Sequence, residues 1–244
     1  MQIEIVTHCW KYWRALTYQI SSLILYPPAY CDVLLTIYCN PSEDANTAKR
    51  LEQIAGWKLP HNVRYREQVL EKKLLCRRAI GRNKAALATE ADLVWFIDCD
   101  MTIGDGALDA LSNQTWLRTD GVLFHPRHVG VPTQERGDEI LMDATEVDGP
   151  CDVDPEDFGT MRYNRAIGGV QIVDGDVCRK DGYIPKSRRY QRPADEWART
   201  FEDKAFRHHL NGLYGSGSGL RLQLPNVRRI RHTKRGRLDR GLEL

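Results

Sequence analysis

From residue 93 to residue 100 the sequence reads Leu-Val-Trp-Phe-Ile-Asp-Cys-Asp. Its first five residues are apolar, with β-branched and aromatic side chains among them, and they predict a short strand buried on both faces. Asp98 and Asp100 follow, and a spacing of two would place both side chains on one side of an extended chain. Such carboxylates suit Mg²⁺ or Mn²⁺. Taken alone, the pair is more typical of a solvated turn, so the surrounding sequence must decide.

Length and composition are those of an ordinary globular protein. The chain has 244 residues, which fit one domain, and its apolar and charged fractions are 42% and 28%. Its seven cysteines are odd in number and include no Cys-x-x-Cys pair, which favours reduced thiols over a disulfide framework or a zinc site. The N-terminus does not resemble a signal peptide, and no apolar run is long enough to span a bilayer. We therefore expect a cytoplasmic protein without a membrane span.

Charge is unevenly distributed along the chain. Residues 138–157 hold nine acids and no lysine or arginine, whereas residues 221–240 hold eight basic residues and one acid. Segments so biased are usually solvated faces or loops, and we expect a long loop or lid over residues 135–160 and a basic tail over 221–240. The tail, together with the Lys-Ser-Arg-Arg-Tyr-Gln-Arg segment at 186–192, could instead bind a phosphate-rich partner such as nucleic acid.

Strand and helix patterns alternate through the first hundred residues. Strands are expected at 2–7, 32–38, around Val63 and from 93, and helices at 13–25, 46–55 and 69–90. Further elements are expected as a helix at 105–111, a strand at 122–125, a strand at 166–173, a helix at 200–210 and a strand at 220–224, with a connector at 214–219. The alternation predicts a parallel, doubly wound sheet. Ligands of such sheets bind beyond the carboxyl ends of the strands, where Thr7, Asn40 and Asp98 would meet.

The first hundred residues resemble the nucleotide-binding half of a family 2 glycosyltransferase with the GT-A fold. Residues 5–23 are similar to its first strand and helix, and Asn-Pro-Ser-Glu-Asp at 40–44 to its Asp-Gly-Ser-x-Asp turn. Arg82-Asn83, with alanines at 86 and 88, resembles its Ala-Arg-Asn-x-Gly helix, and residues 96–100 its metal-binding Asp-x-Asp. In the second half the match is thinner and consists of Gly168-Gly169, Glu202-Asp203 with an aromatic residue at 206, and His232.

The resemblance implies an α/β fold in which a Rossmann-like, mostly parallel sheet is flanked by helices. A single GT-A domain would occupy residues 1–244. Residues 1–105 would bind the nucleotide sugar, and residues 106–244 would form a smaller region that binds the acceptor.

The reaction implied by the resemblance is transfer of a sugar from a nucleoside diphosphate, with UDP favoured, to a hydroxyl group. Asp98 and Asp100 would hold Mn²⁺ or Mg²⁺ against the diphosphate. His232 is either a third ligand or part of a polar surface that binds polyanions. Asp203 would be the general base of an inverting reaction, with Glu202 as its competitor. Alternatively, Thr200 to Asp203 form a helix capping box.

Other residues are assigned to the substrates by the same resemblance. The donor would be contacted by Thr7, His8, Asn40, Asp44, Arg82, Asn83 and Cys99, and the acceptor by Gly168 and Gly169. Arg77 and Arg78 are expected to be solvated. The chain also departs from the family: Thr7-His8-Cys9-Trp10 replaces a proline and an asparagine, and Asn40 replaces the acid that commonly contacts the base. Asparagine can still pair with a uracil edge, because it offers both a donor and an acceptor.

The acceptor and the reaction class have alternatives. A modified base in DNA, as in glycosyltransferases of some bacteriophages, is one acceptor, and a glycan or a small molecule is the plainer one. A nucleotidyltransferase also uses aspartate-bound metal on a similar fold, although the glycine-rich basic loop typical of that class does not follow the first strand. A non-catalytic nucleotide-binding module is the remaining alternative.

Overall fold

The computed structural model describes residues 1–114, 121–144, 148–197 and 200–233. Its strands are β1 Gln2–His8, β2 Asp32–Cys39, β3 Val63–Val69, β4 Leu93–Phe96, β5 Met101–Ile103, β6 Leu123–Pro126, β7 His128–Val131, β8 Gly159–Arg162, β9 Gln171–Asp174, β10 Leu220–Leu222 and β11 Val227–Arg229. Its helices are α1 Trp13–Leu25, α2 Ala45–Ala55, α3 Lys72–Leu75, α4 Arg78–Ala88, α5 Ala107–Ser112, α6 Gln134–Asp143, α7 Gly175–Asp181, α8 Arg188–Gln191 and α9 Glu202–Tyr214.

The strands form two sheets in the described part of the chain. The larger has the order β10-β6-β9-β4-β1-β2-β3, in which β9 alone runs against its neighbours. The smaller has the order β5-β11-β7-β8. Because β9 is reversed, its first residue lies at the edge where β1, β2 and β4 end. The predicted mostly parallel α/β sheet flanked by helices is confirmed.

Strand β4 lies near the middle of the larger sheet and is covered on both faces. Its four residues are at most 1% exposed. Leu93 and Trp95 belong to one hydrophobic cluster with residues of α1, whereas Val94 and Phe96 belong to a second cluster with residues of α4 and α9. Since both faces are buried, the strand is a continuous apolar run rather than an alternating one. The prediction from residues 93–97 is confirmed at its core.

Several predicted elements are wrong in extent. The helix predicted over 69–90 is divided, because Val69 is still in β3 and separate helices begin at Lys72 and Arg78. The strand predicted over 166–173 begins only at Gln171, after a turn at Gly168-Gly169. The helix predicted over 200–210 runs from Glu202 to Tyr214.

The acidic segment 135–160 is not the long loop that was predicted. Its first part is helix α6, where the Thr133 side chain accepts a hydrogen bond from the Arg136 amide at 3.2 Å and so caps the helix. The helix buries Ile140 and Leu141 in the hydrophobic cluster that also contains Leu93 and Trp95. Because few apolar residues lie on the buried face of this helix, its helical periodicity is weak in the sequence. The prediction of a loop therefore rested on the acidic composition.

The basic segment 221–240 is also built into the fold as far as residue 233. It contributes β10 to the larger sheet and β11 to the smaller one. The remainder of the predicted tail, residues 234–240, lies outside the described residues. In the described ranges, no helix combines the length and the apolarity needed to cross a membrane.

Candidate active site

Several of the predicted residues meet at the edge where the parallel strands end. An open cleft of about 1030 Å³ lies over this edge and is lined by Asp98, Gly168, Gly169 and Asp203. Asp98 and Asp100 do not continue β4 as an extended chain. They lie in a turn, with the Met101 amide donating to the Asp98 carbonyl at 3.2 Å. The premise of an extended chain is therefore wrong. The two carboxylates contact different protein partners but border the same small pocket, and their convergence on one cation stays a prediction.

Asp98 is held by helix α4. One of its carboxylate oxygens accepts hydrogen bonds from Arg78 at 2.6 Å and from Arg82 at 3.2 Å. Arg82 is wholly buried and also donates to the Gly168 carbonyl at 3.0 Å and the Tyr183 hydroxyl at 3.1 Å. The two arginines are four residues apart, so they lie on one helix face and reach the same carboxylate.

The expectation that Arg78 is solvated is wrong. Its side chain is only 21% exposed, and it forms ion pairs with both Asp98 and the buried Glu202, the latter at 3.0 Å. The facing acids raise the pKa of Arg78 although burial opposes this. The spacing of four from Arg82 was the sequence signal that could have identified it.

Asp100 is held by the strand that pairs with β5. Its Oδ2 accepts a hydrogen bond from Arg229 Nε at 3.1 Å and lies 3.8 Å from His232 Nε2. The negative charge of Asp100 raises the pKa of Arg229. Its other oxygen, Oδ1, is buried and has no hydrogen-bond partner among the described residues.

The metal that the resemblance implies fits these residues in part. The orphaned Asp100 Oδ1 and the nearby His232 are available to a cation, whereas one carboxylate oxygen of Asp98 already accepts hydrogen bonds from two guanidinium groups. Among the described residues, no three His, Cys, Asp or Glu side chains form a complete metal cage. Mg²⁺ characteristically uses one or two carboxylates and takes its other ligands from substrate phosphates and water. The metal ligands that this protein offers are of the same kind, a partial set that substrate phosphates and water would complete.

Helix α6 places His232. A Cβ atom on Gly137 would lie 1.7 Å from the Arg231 carbonyl oxygen, so only glycine lets the two backbones approach. Next to it, Asp138 accepts a hydrogen bond from the Thr233 amide at 3.0 Å. The acidic segment therefore fixes the C-terminal segment that carries His232, whose ring packs edge-on against Tyr12.

The two candidate bases have different surroundings. Asp203 lines the cleft in the first turn of α9 and accepts a hydrogen bond from the Gly168 amide at 3.2 Å. Glu202 is 2% exposed and is occupied by Arg78 and the Thr200 hydroxyl. The predicted capping box is wrong, because Phe201 is the N-cap residue, with φ 58°, and makes no side-chain cap.

Gly168 and Gly169 lie directly against Asp98. A Cβ atom on Gly169 would be 2.7 Å from Met101 Sδ and 3.2 Å from the Asp98 amide nitrogen, so a side chain there would displace the Asp-x-Asp turn. The pair also borders the cleft. Its predicted contact with the acceptor stays a prediction.

The end of β1 borders a smaller pocket of about 40 Å³ between Asp98 and Asp100, which His8 and Cys99 also line. The His8 ring is buried, stacks on Tyr38 with ring centroids 5.0 Å apart, and has no hydrogen-bond partner on either nitrogen among the described residues. The Thr7 hydroxyl is likewise buried and unpartnered there. Burial raises the pKa of the Cys99 thiol well above its usual value.

The other residues that were predicted to contact the nucleotide sugar form hydrogen bonds within the protein. Asn40 contacts Glu43 and Ser42, and Asp44 caps α2 by accepting hydrogen bonds from Thr47. Asn83 accepts a hydrogen bond from the Tyr183 amide at 2.9 Å. None of Asn40, Asp44 and Asn83 lines the cleft or the smaller pocket. Their assignment to the nucleotide stays a prediction.

Burial of His8 predicts a pH effect on stability. Burial first, and then the charges of Arg82 and Arg78, lower its pKa well below 6.5, although Asp98 opposes them. In the unfolded chain, His8 therefore takes up a proton near pH 6.5, whereas in the native state it stays neutral. The free energy of unfolding therefore falls as the pH falls below that value. We expect His8→Phe to remove up to about 1.4 kcal/mol of this loss per pH unit. Urea unfolding of both proteins between neutral and acidic pH, with chelator present, measures it. Parallel pH curves would contradict the assignment.

The architecture is the GT-A type of α/β fold, as shown by comparison with solved structures. The 1–349 portion of S. aureus TarS, a glycosyltransferase of this type, matches with a TM-score of 0.52 and 11% identity over 98% of this chain and 63% of that one. The same portion in complex with UDP-GlcNAc matches with a TM-score of 0.56 and 12% identity over 93% and 58%. A longer TarS structure gives 0.55 and 12% over 96% and 37%.

The chain thus spans about two fifths to three fifths of the TarS chains that it matches. No family model matches it, and no curated protein sequence does.

Proposed function

We propose that this chain is a glycosyltransferase that moves a sugar from a nucleoside diphosphate, with UDP favoured, to an acceptor hydroxyl. The observation that carries the proposal is that Asp98 and Asp203, 105 residues apart in sequence, line one cleft at the carboxyl edge of a GT-A sheet. The fold likeness to a TarS structure in complex with UDP-GlcNAc supports the choice of donor. Seven free thiols favour the cytoplasm as its location.

The donor side of the reaction needs positive charge, because the diphosphate leaves with its electron pair. Asp98 and Asp100, with His232 beside them, would hold Mn²⁺ or Mg²⁺, which supplies Lewis-acid charge when bound. Arg78 and Arg82 fix the Asp98 carboxylate, and Arg229 fixes that of Asp100. Arg78 and Arg229 line the cleft and add their own charge.

On the acceptor side, Asp203 is the proposed general base. As the acceptor oxygen bonds to the anomeric carbon, the bond from that carbon to the diphosphate oxygen breaks, and the hydroxyl proton passes to the Asp203 carboxylate. A single displacement of this kind inverts the anomeric configuration. The hydrogen bond from the Gly168 amide orients the carboxylate without protonating it.

Metal-dependent nucleotide binding tests the donor assignment. We expect UDP with Mn²⁺ to stabilise the protein by about 2.7 kcal/mol at a hundred times the dissociation constant, and chelator to remove the gain. Asp98→Ala should lose the gain, whereas Asp203→Ala should keep it. Differential scanning fluorimetry with a panel of nucleoside diphosphates and their sugars measures this.

Two results would contradict parts of the proposal. An equal melting shift in wild type and Asp98→Ala would exclude Asp98 as the metal ligand. Pyrophosphate release from a nucleoside triphosphate and a sugar phosphate would identify a nucleotidyltransferase instead, and an absence of binding to any nucleotide would favour a non-catalytic module.

A further inference from the structure

The cleft has far more basic than acidic residues on its walls. It is lined by two aspartates, Asp98 and Asp203, and by six arginine and lysine residues: Arg78, Arg165, Arg189, Lys204, Arg207 and Arg229. Arg78 and Arg229 are paired with the aspartates of the donor site. The other four make no ion pair with an acid among the described residues. Their charge is therefore left for a ligand.

Of these four residues, Arg207 gives the strongest evidence for an anionic ligand. Arg207 is only 5% exposed, and its guanidinium donates a hydrogen bond to the neutral carbonyl of Ala166 at 2.9 Å. Burial lowers its pKa, the charge of Asp203 one turn earlier on α9 opposes this, and the charge of Arg165 acts with burial. Among the described residues no carboxylate lies within ion-pair distance of this guanidinium, so this wall of the cleft favours a further anionic group.

Aromatic side chains alternate with these cations. The guanidinium carbon of Arg189 lies 5.7 Å from the ring centroid of Tyr190. The guanidinium carbon of Arg78 lies 5.5 Å from the ring centroid of Trp197. Phe201 lines the same cleft, is 52% exposed and has a left-handed backbone with φ 58°. A half-exposed phenylalanine on a strained backbone is typical of a functional position. Cations beside flat rings bind the phosphates and bases of unpaired nucleic acid.

We propose that the acceptor is a polynucleotide that enters this cleft as a single strand or as an unpaired nucleotide; this rests on the proposed transfer reaction. The phosphates would contact Arg165, Lys204 and Arg207, and a base would stack on Phe201. A cleft of about 1030 Å³ is of the size that holds small molecules. A base inside an intact duplex is stacked and paired, so the target nucleotide would leave the base stack to bring its hydroxyl to Asp203.

Binding of a fluorescein-labelled oligodeoxythymidine of about 16 nucleotides, followed by anisotropy without donor, tests the inference. Arg165→Ala/Lys204→Ala should weaken binding and make the slope of log affinity against log salt shallower by about 1.4, which is two single-strand phosphate contacts. Phe201→Ala should weaken binding roughly 5- to 150-fold, and Phe201→Trp should retain it. Lys49→Ala/Arg64→Ala removes the same charge from exposed positions outside the cleft and should change neither quantity.

Three results would overturn the inference: no binding at low salt, an equal effect of the two double variants, or competition by inorganic polyphosphate as effective as that by unlabelled oligonucleotide. The metal-dependent melting shift with UDP is measured on the same samples. A UDP shift without oligonucleotide binding removes only the acceptor class. Oligonucleotide binding lost in the cleft variants, without any nucleotide shift, removes the transferase and keeps the polynucleotide site.

Discussion

Asp203→Asn should slow sugar transfer strongly and leave the donor site intact. Asparagine has no basic oxygen to take the acceptor's proton, so kcat should fall roughly 10²–10⁴-fold. Its amide oxygen can still accept the hydrogen bond that the Gly168 amide now donates to the carboxylate, so the turn beside Asp98 is retained. Release of UDP from UDP-sugars in the presence of acceptor measures the rate. The UDP-dependent melting shift should equal that of wild type.

Glu202→Gln is the matched control, because it makes the same chemical change at the neighbouring residue. Glu202 is buried and paired with Arg78, so Glu202→Gln should lower the melting temperature. It should have a smaller effect on kcat than Asp203→Asn. If Asp203→Asn kept the wild-type rate while folded Glu202→Gln lost it, the general base would be Glu202. The sequence placed both acids in the site, but only their burial separates their roles.

Local sequence was sufficient for the parts of the fold that depend on composition. The apolar run from Leu93 to Phe96 identifies a strand covered on both faces, and the alternation of helix and strand places the ends of β1, β2 and β4 at one edge. The same pattern correctly predicted α1, whose bounds of Trp13 and Leu25 agree with the prediction. These features depend on the periodicity of apolar residues and on the order of the elements along the chain, both of which can be read from the sequence.

The partners of the site residues could not be read in this way. Arg78 pairs with acids 20 and 124 residues further along the chain, and Asp100 with an arginine 129 residues away. Such contacts depend on which elements pack together. The acidic segment was misassigned for a related reason, since α6 is defined by a small buried face and by its contact with the backbone at Arg231.

Arg82→Leu should destabilise the protein rather than only weaken nucleotide binding. The wholly buried guanidinium joins three acceptors that come from different parts of the chain: Asp98, the Gly168 carbonyl and the Tyr183 hydroxyl. Removing it takes this donor from all three. Because Asp98 keeps Arg78, we expect a loss of about 3 kcal/mol in the free energy of unfolding, the lower end of the range for a broken buried ion pair. Urea unfolding without ligand measures it.

Arg77→Ala is the control on the neighbouring turn. Arg77 donates to the Arg192 carbonyl at an exposed position, so its removal should change stability by less than about 0.5 kcal/mol. The resemblance assigns Arg82 to the donor, which stays a prediction, while its contacts predict that it positions Asp98 and the Gly168 turn. An Arg82→Leu protein with wild-type stability and no affinity for UDP would favour direct contact with the donor. A destabilised protein that regains UDP affinity at lower temperature would show that Arg82 acts through the fold, because a direct ligand cannot be replaced by cooling.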